Sequence, residues 1–352
     1  MRLAAAVRLV AALLVLALCC GAHGGDAQIA TLTRASILLD PGERIPADDA
    51  AWQPQALPDD WSRTRPGVLG AAWYRVEFDL PADRLQLSAL YVPRTSMIGA
   101  VQVNGEVVGG TAEFDERASR QWYRPQLYAV PAKLLRPGRN TLHLRVQTYP
   151  QHERALSELH FGPSAAVEAQ WRRRTLLQIT TVQIGTAVTV GLGLVALLAW
   201  QLLGRDTFYL YFAAAAACSS LGNLQFLLTR IPLPPFWWEI LSCTMLIWCY
   251  MLVGLFVLRF VGTVRADRFL LAACAAVPLV LWAGTEAHFR VVSSIVYALA
   301  FAASSVVLAV GVRAAHRQRA RGTWLIVAAG VAIFPLMGYD WANYIGLTGF
   351  SD

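Results

Sequence analysis

The sequence predicts a multi-domain chain, in which an exported all-β sandwich is followed by an α-helical transmembrane bundle of about six helices. Three observations predict it. A hydrophobic leader opens the chain, a period-two pattern follows, and membrane-length apolar runs fill the C-terminal half. Hydrophobic residues make up 56% and charged residues 15% of 352 residues, too apolar a balance for a wholly soluble protein of this size.

Residues 1–24 carry Arg2 and Arg8, an apolar run from Leu9 to Leu18, and small residues around Gly21, Ala22 and Gly24, the layout of a secretory signal. Cys19 and Cys20 raise the question of lipid attachment, but Leu18 or Cys19 would stand where a small residue must precede the modified cysteine. The signal is therefore read as a cleaved leader.

The region 28–168 is read as the exported domain. In Trp73 to Leu80, Tyr74, Val76, Phe78 and Leu80 share one face of an extended strand, and Arg75, Glu77 and Asp79 share the other. Val101-Gln102-Val103 and Glu106-Val107-Val108 flank Asn104-Gly105, the pair best suited to a tight hairpin because both residues tolerate positive φ. After a turn at Pro137-Gly138, Asn140 to Val146 alternates again. An antiparallel sandwich closes such strands. The four cysteines beyond the leader, Cys218, Cys243, Cys249 and Cys274, lie in apolar segments, so the exported domain has no disulfide framework.

From about residue 175 to 352 the chain reads as a multi-span membrane domain, each run long enough for a hydrocarbon core of about 30 Å. The spans are placed near 177–203, 207–228, 236–258, 269–285, 290–312 and 323–346. With the sandwich outside, the loops at Arg205, at Arg259, Arg265 and Arg268, and at Arg313, Arg317, Arg319 and Arg321 are cytoplasmic, whereas the opposite loops hold only Arg230 and Arg290. That asymmetry gives the orientation the leader requires. Trp237, Trp238, Trp282 and Trp341 fall at the outer interface, Trp200 and Trp324 at the inner one. Arg172, Arg173 and Arg174, just outside the first span, run against the asymmetry.

The net charge of +7 does not belong to the exported part, where residues 25–175 hold 18 basic and 17 acidic side chains. It belongs to the leader and to the loops between spans, where it meets the lipid bilayer rather than nucleic acid. No metalloprotease His-Glu-x-x-His, phosphate-binding glycine loop or serine elbow occurs. His316 has no acidic neighbour of the kind a phosphoacceptor histidine needs and reads as a solvated loop residue. No catalytic residue, metal or cofactor is expected.

Trp73-Tyr74-Arg75, Leu90-Tyr91-Val92-Pro93, Val103-Asn104-Gly105, the run Tyr128 to Leu135 and Pro137-Gly138-Arg139-Asn140-Thr141-Leu142 together resemble the jelly-roll, galactose-binding-like domain of bacterial sensors. Followed by a multi-span bundle, that domain is similar to bacterial seven-transmembrane receptors with diverse intracellular signalling modules. The resemblance implies a receptor in the inner membrane, with a periplasmic domain that detects a small carbohydrate or another ligand. It also implies a signal passed to a histidine kinase or diguanylate cyclase in the cytoplasm. Only six spans are recognised here, so a seventh helix and its output domain are expected on another chain or in sequence beyond Asp352.

Two groups of residues are candidate sites. Trp122, Tyr123 and Arg124, with Arg120, offer aromatic faces and cations outside the alternating strands and could rim a sugar site. Trp52 and Trp61 share that position, and the alternative is that all these aromatics plug the ends of the sandwich core. Asn223, Gln225, Glu239, Asp340 and Asn343 map to the outer half of the bundle, where ionisable groups are costly unless paired or wet. Gly185, Thr189 and Gly193 make a small face that suits close helix contact, including a homodimer. A transporter or channel with an accessory carbohydrate-binding domain is the alternative reading. Against it, the inner half holds no matching polar cluster and the spans show no internal repeat.

Overall fold

The computed structural model describes residues 29–39, 42, 44–110, 124–148, 154–228, 232–262, 267–319 and 321–344. The leader, and with it Cys19 and Cys20, lies outside the described residues.

Twelve described strands form the N-terminal part: β1 (Ala30–Leu32), β2 (Arg34–Leu39), β3 (Gln53–Ala56), β4 (Asp59–Asp60), β5 (Gly70–Leu80), β6 (Ser88–Val92), β7 (Met97–Val103), β8 (Glu106–Gly109), β9 (Gln126–Val130), β10 (Gly138–Thr148), β11 (Arg154–Leu156) and β12 (Leu159–Pro163). A six-stranded sheet runs in the order β3-β2-β5-β10-β7-β8, a four-stranded sheet in the order β1-β12-β6-β9, and β11 pairs with β4. All pairings among the described strands are antiparallel. Tyr74, Val76, Leu142, Leu144 and Val146 from the large sheet meet Leu90, Val92, Val130, Leu159 and Phe161 from the small one in one core.

Local chemistry explains the turns. Asn104 and Gly105 both have positive φ (52° and 91°) and close the β7–β8 hairpin, as the Asn-Gly pair requires. Asn104 donates to the Leu134 carbonyl (2.7 Å) and to Asn140 Oδ1 (2.8 Å), and its own Oδ1 accepts from the Thr141 amide. Buried Asn140 also bonds the Arg136 and Gly138 carbonyls. The two turn motifs are thus one hydrogen-bonded unit, with its buried polar groups matched.

At one end of the core, the helical turn α1 (Trp61–Thr64) buries Trp61. Asp59, wholly buried, accepts from Trp61 Nε1 (3.1 Å), the Tyr74 hydroxyl (2.7 Å) and Thr64 Oγ1 (2.7 Å), and pairs with Arg65 at 2.9 Å. Burial and the Asp59 charge raise the Tyr74 pKa well above the ordinary phenol value, so the hydroxyl stays a donor. Trp61 is a plug, whereas Trp52 lies over the outer face of the large sheet.

The C-terminal half is helical: α2 (Ser164–Thr175), a π-helical stretch (Leu176–Thr180), α3 (Thr181–Leu202), α4 (Thr207–Gly222), α5 (Leu224–Leu227), α6 (Pro235–Phe260), α7 (Asp267–Ala283), α8 (Thr285–Gln318) and α9 (Arg321–Tyr344). Helices therefore occupy all six apolar segments. Four stretches, Ser164–Leu202, Pro235–Phe260, His288–Gln318 and Gly322–Tyr339, are long and apolar enough to cross a membrane, and Thr207–Gly222 and Phe269–Ala283 are shorter apolar helices. The segment near 207–228 is not one helix, because Asn223 breaks it into α4 and the single turn α5. The arginine-rich stretch from 313 is likewise not a loop. Arg313, His316 and Arg317 continue α8, which ends at Arg319 in the left-handed conformation (φ 51°). Helix-compatible alanines and arginines carry it past the apolar run.

Large apolar side chains on α3 such as Ile184 and Val188 are exposed, as a lipid-facing helix requires. Gly193 faces inward, where an added Cβ would stand 2.9 Å from that of Ala216 on α4. Gly185 has open space around it. The small face is therefore used within the chain at Gly193. Trp238, assigned from sequence to the outer interface, is buried within the bundle, while Trp237, Trp282 and Trp324 are exposed.

Candidate functional site

The sandwich and the bundle share a continuous element. β12 ends at Pro163, and from Ser164 an unbroken helical stretch of 39 residues runs to Leu202. Its first part, α2, packs on the small sheet: Val167 is buried with Ala89 and Tyr91, and Trp171 packs beside them. Trp171 Nε1 donates to the Pro125 carbonyl at 2.9 Å, which fixes the chain just before β9.

Arg124 stands next to that anchor. Its carbonyl accepts from Gln126 Nε2 (2.9 Å), and its Nη2 donates to two carbonyls of the membrane half, Phe226 at 3.0 Å and Leu228 at 3.2 Å. These carbonyls are available because α5 ends there and the last turn of a helix leaves its C=O groups without helical partners. Partial burial lowers the Arg124 pKa. The Phe226 carbonyl also accepts from Gln183 Nε2 on α3 at 2.9 Å. A single carbonyl thus joins the sandwich, the first span and the end of α5. One turn along α3, Thr186 Oγ1 lies 3.2 Å from the Asn223 amide nitrogen that donates to it.

Of the residues singled out as a sugar rim, Arg120, Trp122 and Tyr123 lie outside the described residues, and Arg124 holds the junction. Of the outer polar group, Asn223 caps α4 and binds Thr186, Gln225 is half-buried in α5, and Glu239 is buried in the first turns of α6. Asp340 and Asn343 belong to the end of α9, and their side chains lie outside the described residues. Gln183, Thr186 and Trp171 escape sequence reading. A single amide or hydroxyl within an apolar run does not disturb its hydropathy.

Among the described residues, no group of three or more His, Cys, Asp or Glu side chains is placed to hold a metal ion. The junction instead offers a physical connection: a continuous helical stretch and a charged hydrogen-bond clamp, both in contact with the sandwich.

Residues 181–351 match the family model described as 7TM diverse intracellular signalling. Among solved structures the chain is similar to the β-glucuronidase from Ruminococcus gnavus, at 15% identity and a TM-score of 0.28, over 39% of this chain and 29% of that one. It is also similar to a GH2 β-galacturonidase from Eisenbergiella tayi (16%, TM-score 0.28, 39% and 24%) and to a β-glucuronidase from an uncultured Clostridium species (14%, TM-score 0.30, 39% and 29%). The chain spans less than a third of the length of those enzymes. No curated protein matches it.

Proposed function

We propose, from the match of residues 181–351 to the family model described as 7TM diverse intracellular signalling, that this membrane protein is the input module of a receptor. In this reading the sandwich, residues 28–168, lies in the periplasm of a bacterium and detects an extracytoplasmic ligand, a carbohydrate among the candidates, or a partner protein. The bundle crosses the inner membrane with six helices and hands the signal to a kinase- or cyclase-type output. The arginine asymmetry and the leader support that orientation. The chain itself does no chemistry in this role.

The clamp from Arg124 to the Phe226 and Leu228 carbonyls carries the proposal. A ligand shifts such a receptor only by binding one of two states better, and the two states must differ where the sandwich meets the helices. The clamp and the α2–α3 helix are that place. Hydrogen–deuterium exchange on the full chain in lipid nanodiscs tests it, comparing wild type with Arg124→Met. Altered exchange around residues 313–319, at the far end of α8, is expected. Exchange altered only beside residues 124 and 226, with the far end unchanged, would reduce the clamp to a local contact and sink the input-module reading.

A further inference from the structure

The outer face of the six-stranded sheet is not the wet, polar surface that a sandwich usually presents. Trp73 on β5 points away from the core and is nonetheless fully buried, and so is most of His143 on β10 (6% exposed). Registry places His143 opposite Arg75, and Arg145 opposite Trp73. All four therefore share this face. A short cover, residues 44–52, lies over them. It is bound mainly to itself, through Trp52 Nε1 to the Ala47 carbonyl (3.1 Å) and the Ala50 amide to the same carbonyl. The cover reaches the sheet through the Trp52 ring, 4.7 Å from the Arg75 guanidinium and 6.0 Å from the His143 ring. Just before it, the Gly42 carbonyl accepts from Trp73 Nε1.

Within this enclosure His143 and Arg75 are poorly served. Neither ring nitrogen of His143 has a hydrogen-bond partner among the described residues, although buried polar side chains nearly always do. Arg75 meets carboxylates only at a distance, Asp48 at 3.7 Å and Glu77 at 3.9 Å, and its bond to the Asp48 carbonyl is long at 3.4 Å. The Asp48 side chain is 97% exposed, so that pair is not locked. Burial and the neighbouring Arg75 charge lower the His143 pKa, which keeps the ring neutral with one donor and one acceptor to offer.

We propose that this face is a binding site for a small cyclic carboxylate. The carboxylate pairs with the Arg75 fork and displaces Asp48, the ring lies against tryptophan, and His143 takes a hydrogen bond from or gives one to the ligand. A guanidinium fork fits a carboxylate through two parallel bonds, a geometry that Asp48 does not reach here. The cover already supplies a carboxylate at 48 and a flat ring at 52 to the same two partners. It stands in for the ligand and competes with it. The site deepens the receptor reading without requiring it, because binding is measured apart from any effect on the bundle.

Ligand-observed saturation-transfer NMR on the full chain in lipid nanodiscs tests the site with benzoate and quinate. These probes distinguish an aromatic from a polyhydroxylated ring, and benzyl alcohol and acetate serve as controls. Saturable signal is expected from at least one of the two carboxylates and from neither control. Arg75→Gln and His143→Leu should each weaken binding by about tenfold or more, the scale of one lost charge-assisted or buried hydrogen bond. Asp48→Asn lies at an exposed position that leaves the fold intact, and it should tighten binding by removing the competitor. Silence from both carboxylates, equal binding of the controls, or weaker binding in Asp48→Asn would overturn the proposal. Binding with no change in exchange at 313–319 would leave the site standing and count against the receptor reading alone.

Discussion

The sandwich and the bundle solve the problem of buried polar groups in opposite ways. In the sandwich, partners come from other elements: Asp59 on β4 is satisfied by Trp61, Thr64 and Arg65 in and just after α1 and by Tyr74 on β5, and Asn104 reaches Leu134 and Asn140. In the bundle, hydroxyls turn back to their own helix, Thr186 to Val182, Ser220 to Ala216, Ser293 to Phe289 and Ser305 to Phe301. Apolar side chains invert likewise. Tyr74, Leu90 and Leu144 are sealed inside the sandwich, whereas Ile184 (60% exposed) and Leu325 (73%) face outward from the helices. The first region depends on water to drive its closure, and the second on helices that satisfy themselves in lipid. The junction matters because there a side chain of one region, Arg124, satisfies the backbone of the other.

The sharpest way to break this comparison is to remove the hub of the sandwich network. Asp59→Ala leaves Arg65 facing a gap and strips an acceptor from Trp61, Tyr74 and Thr64, which should cost about 3–5 kcal/mol. Denaturant unfolding of the full chain in nanodiscs, followed by its strand circular dichroism, measures the loss. The helical signal should hold. Stability within experimental error of wild type would show that the network is incidental and that apolar packing alone closes the sandwich.

What the sequence disclosed follows the same division. Period-two strands at 74–80 and 140–146, the Asn104-Gly105 hairpin and the apolar helices are local patterns, and each was legible because its signal lies within a dozen residues. The bond from Tyr74 to Asp59, the cover on the outer face and the clamp from Arg124 to Phe226 join residues that only topology brings together. Arg124 drew notice as a cation beside aromatics, but nothing in its neighbourhood names a carbonyl 102 residues away. In the sequence Asn223 is a polar residue within a span, and in the fold it ends α4. The charge of Arg313 and Arg317 suggests a loop, but arginine is a good helix former and α8 runs through both.

The bundle offers a smaller test. Gly193→Leu forces a side chain into the space held by Ala216, whereas Gly185→Leu enters open surroundings. Overpacking should cost the first variant about 1–3 kcal/mol and the second almost nothing in the monomer. Detergent-driven unfolding of the helices separates the two. An equal loss at both positions would mean that Gly185 is also a contact, with a second copy of the chain as its partner.

The smallest expected effect is in pH, and it belongs to the sandwich. His143 and His160 both have pKa values lowered by burial, with Arg75 adding to the effect at His143 and Arg174 opposing Glu158 at His160. An unfolded histidine titrates near 6.5, so below about that pH the unfolded chain takes up protons that the folded ring refuses. Stability conferred by the neutral rings is therefore full above about 6.5 and declines as pH falls toward the folded values. His143→Leu removes one of these contributions. The charged groups around it, Arg75, Glu77, Asp48 and Arg145, are unchanged by the substitution. The difference in unfolding free energy between wild type and variant, taken at steps of pH, should be level above about 6.5 and move in the variant's favour below it. A difference that stays level throughout would mean that the ring takes up a proton as readily inside the fold as outside it, with the Asp48 and Glu77 charges offsetting burial and Arg75.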